Sequence, residues 1–105
     1  MTYQHDEQDD TAISISLGAP SGGGWVRIER VIFGYSLAPG AAKEFTIDVD
    51  GVEVISLPVA NSAGPAPLEL SLEFRPASGT VDVKLEASGT AGTLGYVLVV
   101  YEESV

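Results

Sequence analysis

The stretch WVRIERVIFGYSL, from Trp25 to Leu37, is a long β-prone run with a fault in its rhythm. Val26 and Ile28 fall on one face of an extended strand, and Val31, Phe33 and Tyr35 fall on the other. Successive side chains of a strand point to opposite sides, so a one-residue change of phase moves a whole apolar set across the sheet. The slip lies at Glu29-Arg30 and predicts a β-bulge or bend that turns the strand's apolar side. Working outward, the same period of two recurs. It runs through Ile13, Ile15 and Leu17, then Phe45, Ile47 and Val49, then Leu68, Leu70, Leu72 and Phe74, then Val81, Val83 and Leu85.

Turn residues separate these runs. Asp50-Gly51 stands directly between Val49 and Val52, the strongest short hairpin signal in the chain. Gly18 to Gly24, Ala38-Pro39-Gly40 and the longer Pro58 to Pro67 read as loops. Ala-Ser-Gly-Thr occurs at Ala77 to Thr80 and again at Ala87 to Thr90, as similar turns flanking one strand. Leu94 to Tyr101 is apolar on both faces and is expected to be central in a sheet or covered on both sides. Sustained apolar spacing of three and four is absent, so no long helix is expected. The sum is an all-β fold: a seven- to eight-stranded antiparallel β-sandwich, jelly-roll-like.

The chain has 105 residues, enough for one domain with a core of its own. Residues 11–105 are assigned to that domain. The first ten, MTYQHDEQDD, hold four acids and no base, and are expected to form a flexible acidic arm. Such an arm is either a solvated tail or a segment that orders on a neighbouring subunit. Fifteen acidic residues against five basic ones give a net charge of −10. That balance argues against a nucleic-acid partner and against an anionic membrane surface. No apolar run is long enough to span a bilayer as a helix.

Chemistry finds little to use. With no cysteine there is no disulfide and no thiolate site, and the single histidine, His5, lies in the expected arm. A Ser-His-acid arrangement needs a histidine held beside the nucleophile. Gly22 to Gly24 lacks the Lys-Ser or Lys-Thr and the helix of a phosphate loop. Asp48, Asp50 and Glu53 could gather around calcium at the hairpin, but the spacing lacks the distal ligands of a calcium loop and reads first as a solvent-facing turn. Glu69 and Glu73 share a face, too far apart for an acid–base pair. Trp25 and Tyr35 are weighed between a core or interface role and stacking on sugar rings. No enzyme, no cofactor and no metal is expected.

The informative feature is where charge is missing. Residues 11–26, 31–42, 54–68 and 87–101 carry no charged side chain, although the chain as a whole is strongly acidic. Three of the expected loops lie in these spans. Uncharged loops of Ala, Pro, Gly and Val are easily desolvated against another protein, although small residues also simply fill turns.

With the strands laid out, the chain resembles the small jelly-roll decoration (cement) and head-fibre-base proteins of tailed bacteriophages. The residues that carry the resemblance are Trp25 to Phe33, the hairpin Phe45 to Gly51, the stretches Leu68 to Phe74 and Thr80 to Ala87, and the closing Gly95 to Glu102. It implies a non-enzymatic virion protein, added to the outer surface of an assembled capsid as a homotrimer, contacting the major capsid protein. Partner contacts are expected at Tyr3, Gly23, Trp25, Pro39, Val59, Asn61 and Pro65. The same fold also serves in tail and receptor-binding parts, so a carbohydrate- or receptor-binding module is the alternative.

Overall fold

A computed structural model describes residues 2–18, 24–76 and 80–104. Eight strands follow one another: β1 (Thr2–Asp9), β2 (Ile13–Gly18), β3 (Val26–Tyr35), β4 (Lys43–Val49), β5 (Val52–Val59), β6 (Gly64–Phe74), β7 (Thr80–Leu85) and β8 (Leu94–Glu103). They form two four-stranded antiparallel sheets, in the orders β1-β8-β3-β6 and β2-β7-β4-β5. The pairs β1·β8, β2·β7, β3·β6 and β4·β5 are nested, as in one long hairpin rolled over on itself. That is the jelly-roll arrangement, the β-sandwich expected from the alternation.

The core is the set of inward rows from both sheets. Ile13, Ile15, Leu17, Phe45, Ile47, Val81, Val83 and Leu85 come from the second sheet. Val26, Ile28, Val31, Phe33, Tyr35, Val97, Val99 and Tyr101 come from the first. Phe33 and Phe45 join the layers, their rings stacked at 4.2 Å and 5°.

The bulge lies where the sequence slips. Ile28 pairs with Tyr101 and Arg30 with Val100, so Glu29 is the extra residue on β3. Val26, Ile28, Val31, Phe33 and Tyr35 therefore all reach the same core, despite their opposite sequence phase. Asp50 and Gly51 form the hairpin turn with φ of 52° and 79°, the positive pair that a two-residue turn of this hand requires. β8 lies between β1 and β3, the central place its two apolar faces predicted.

Three expectations differ from the structure. Residues 2–9 are not a free arm but strand β1, paired along its length with β8, from Thr2 opposite Tyr101 to Asp9 opposite Leu94. Its side chains are mostly exposed, so the alternation that marks other strands is missing, and ladder hydrogen bonds hold it instead. Gln4 adds a bond from its Nε2 to the Tyr101 hydroxyl at 3.0 Å. The loop expected over Pro58 to Pro67 shrinks to residues 60–63. Its prolines sit on β5 and β6, each paired on one side only, where a missing N–H can face solvent. Finally, Leu72 sits opposite the buried Ile28 yet is 43% exposed. Ser71 beside it has φ of 49°, an irregularity that a pure alternation does not foresee.

Candidate interaction surface

The nested pairing sorts the loops. The turns after β1, β3, β5 and β7 lie at one end of the body, and those after β2, β4 and β6 lie at the other. Two of the uncharged loops, at residues 36–42 and 60–63, therefore meet at one end with residues 86–93. Gly40 donates its backbone N–H to Asn61 Oδ1 at 2.8 Å, and the Thr90 hydroxyl donates to the Pro39 carbonyl at 3.1 Å. Ser88, fully buried, donates to the Thr93 carbonyl at 2.9 Å and stiffens the last loop.

The two outer sheet faces differ in chemistry. Across the first sheet the outward rows read Tyr3–Val100–Arg30–Glu69, then His5–Leu98–Ile32–Pro67, then Glu7–Tyr96–Gly34–Pro65. The middle of that face is apolar. Thr2, Tyr3, Leu98 and Val100 line a shallow depression of about 330 Å³. Arginines and glutamates border it in pairs: Arg27 with Glu29 and Glu102, Arg30 with Glu69, and Arg75 with Glu73. The hydrogen bond and charge of Glu29 hold the Arg27 guanidinium above its ordinary pKa. Burial raises the Tyr96 hydroxyl in the same direction.

The outer face of the second sheet is acidic. Glu44, Asp48, Glu53, Asp82 and Glu86 lie on it or at its end, and the Lys84 amine meets Asp48 and feels the charge of Asp82. Asp48 and Asp82 stand directly opposite each other on β4 and β7, an unfavourable pairing of like charge. Neighbours relieve it. Lys84 Nζ donates to Asp48 Oδ2 at 2.7 Å, and the Ser16 and Thr80 hydroxyls donate to Asp82 at 2.7 and 2.9 Å. The hydrogen bond to Asp48, and then its charge, raise the Lys84 pKa. The groove on this face, of about 510 Å³, runs between Ser14, Glu44, Thr46, Lys84 and Glu86. Among the described residues, no group of three or more acids and histidines is placed to hold a metal ion. The Asp48 carboxylate is nearly buried against Lys84, not turned to solvent as the hairpin reading expected.

The expected contact residues scatter. Tyr3, Asn61 and Pro65 are exposed, Trp25 is half-buried, and Gly23 lies outside the described residues. Pro39 and Val59 are buried within the chain's own packing, so their side chains cannot meet a partner at the surface. Pro39, Val59, Asn61 and Pro65 gather towards the neutral loop end, whereas Tyr3 and Trp25 lie towards the other. Trp25 exchanges two 2.9 Å hydrogen bonds with Ser104, and the Arg27 guanidinium sits 5.7 Å from its ring centroid. Tyr35 is no sugar platform: its ring is fully buried and its hydroxyl donates to the Glu86 carbonyl at 2.6 Å. The apolar face itself escaped the sequence reading. Its signal was present in the two-faced β8, but which strands flank β8 depends on pairings distant in sequence.

No family model and no curated protein matches the chain. Among solved structures it is similar to one described as "Structure of infectious bursal disease virus Gt strain", with 18% identity and a TM-score of 0.28. The match covers 92% of this chain and 31% of that chain. So slight a likeness carries no argument, and the jelly-roll assignment rests on the strand register alone.

Proposed function

We propose that this chain is a non-enzymatic virion structural protein, a decoration protein that attaches as a homotrimer to the outside of an assembled capsid and stabilises it. The observation that carries the reading is the contrast between the two sheet faces. One is an apolar strip bordered by paired arginines and glutamates, a composition suited to a protein interface. The other keeps surplus carboxylates in water, where they hold free copies apart before assembly. The neutral loop end adds surface that is easily desolvated. On a capsid lattice, shallow contacts of this kind repeat and gain from avidity. In this scheme Tyr3, Leu98 and Val100 face the major capsid protein, and the acidic sheet faces outward.

The test is sedimentation. Icosahedral particles are purified on a density gradient from cultures that make this chain, and the chain's copy number per particle is measured. The expected result is co-sedimentation at a fixed copy number divisible by three, weakened by Tyr3→Lys. A chain that stays wholly at the top of the gradient overturns the reading.

A further inference from the structure

The sandwich is closed along one flank and open along the other. On the closed side β1 and β2, joined by residues 10–12, lie near each other. On the other side β5 and β6 are the last strands of their sheets, as β1 and β2 are, and it is the exposure of their apolar side chains that sets this flank apart. There the core comes to the surface. Val52 lies opposite the half-buried Val49, and Leu72 opposite the fully buried Ile28, yet they are 65% and 43% exposed. Val54, the extra residue where the β4–β5 register shifts between Ile47 and Asp48, is 49% exposed. Behind these three, Ile55, Leu57, Leu70 and Phe74 are only partly covered.

We infer that this open β5/β6 flank is the surface through which copies of this chain associate. The inference rests on the homo-oligomer part of the proposed function and is independent of the capsid part.

Charge selects the occupant. Residues 54–68, which run along β5, round the loop and into β6, carry no charged side chain. The glutamates further along β6 are neutralised in place, Glu69 by Arg30 and Glu73 by Arg75, and Glu53, between Val52 and Val54, lies opposite Asp48 on the acidic outer face of the second sheet. A chain of net charge −10 meets its own kind with least repulsion where carboxylates are missing or paired. A basic partner would be drawn instead to the acidic outer face of the second sheet. Size agrees. Eleven residues of β6 at about 3.3 Å each give a flank roughly 36 Å long. The two sheets with their side chains make it roughly 20 Å deep, consistent with short axes of 23 and 19 Å. The product, roughly 700 Å², is close to the roughly 800 Å² per partner of a standard stable interface. Pro58, Pro65 and Pro67 keep the edges from continuing a sheet into a neighbour, so the contact is packing of aliphatic side chains.

The experiment is a mass measurement by light scattering on the purified chain at tens of micromolar. The wild type is expected as an oligomer, and the Val54→Lys, Leu72→Lys double variant at the single-chain mass of 10.9 kDa with an unchanged circular dichroism spectrum. A wild type of single-chain mass, or a folded double variant of unchanged oligomeric mass, overturns the inference. If the double variant fails to fold, Val54→Cys supplies the chain's only thiol. Maleimide should then label it roughly fivefold more slowly at about ten times the dissociation constant of a dimer, where about a fifth of the chain is free, than on dilution. Equal rates at both concentrations overturn the inference. An oligomer that forms through this flank but never sediments with capsids removes the capsid reading alone.

Discussion

Deleting Glu29 tests the argument at its root. The bulge exists so that Val26 and Ile28 share a core with Val31, Phe33 and Tyr35, and all five are 5% exposed or less. Without the extra residue β3 becomes regular, and Val26, Ile28, Val31, Phe33 and Tyr35 then occupy every second position on one face. The about 1.5–3 kcal/mol per side chain that a phase error would forfeit at Val26 and Ile28, about 3–6 kcal/mol together, is therefore kept. Arg27 also keeps its outward phase beside Glu102, and only the contacts of Glu29 to Arg27 and the Ser71 hydroxyl are lost, with a local adjustment of β6. The deletion variant should stay folded at 25 °C, losing about 0.5–3 kcal/mol. The assay is urea denaturation by circular dichroism and tryptophan fluorescence, with linear extrapolation. Glu29→Ala is the control. It keeps the backbone count, loses the same contacts to Arg27 and the Ser71 hydroxyl, and should cost no more than the deletion. A deletion variant that is unfolded at 25 °C would refute the claim that the one extra residue at the bulge accounts for the phase of β3.

Three further outcomes are expected. Leu70→Ala should cost about 2 kcal/mol and Leu72→Ala below about 1 kcal/mol by urea midpoint, because Leu70 packs on the core and Leu72 is exposed at the open flank; equal losses would place Leu72 inside. Gly34→Ala should cost roughly 1–3 kcal/mol in the same assay, since its Cβ would lie 2.4 Å from the Gly64 carbonyl oxygen and 3.0 Å from the Tyr96 hydroxyl; a neutral effect would contradict the close approach of β3 and β6. Burial and then the charge of Glu86 push the Tyr35 hydroxyl up from 10.0 to about 12. The unfolded chain loses that proton first, so stability should fall as pH rises from 10.0 to about 12. Tyr35→Phe should flatten that fall in thermal melts while losing about 1 kcal/mol at neutral pH with its hydrogen bond. An unchanged alkaline slope would assign the effect elsewhere.

Much of the fold was legible because its signals are local. Alternation of Ile13, Ile15 and Leu17, or of Val81, Val83 and Leu85, marks a strand whatever it pairs with. Asp50-Gly51 supplies the two positive φ angles a tight hairpin needs from its own residues. The slip at Glu29-Arg30 is likewise a count along one strand. β1 was not legible, since Thr2–Asp9 has no apolar face and becomes a strand only by bonding to β8, some ninety residues away in the chain. The candidate surfaces were hidden for a related reason. A missing charge at residues 54–68 or 87–101 is visible in the chain, but not whether the segment is a loop tip, an edge or a buried row.

From its own letters, then, the chain sets the strand rhythm, the tight turn and the bulge, because each depends on neighbours a few bonds away. Three-dimensional packing alone decides which strands end their sheets, and so that Val52, Val54 and Leu72 stand bare while Val26 and Ile28 vanish inside. Exposure depends on the second layer lying over a side chain, and distant segments build that layer.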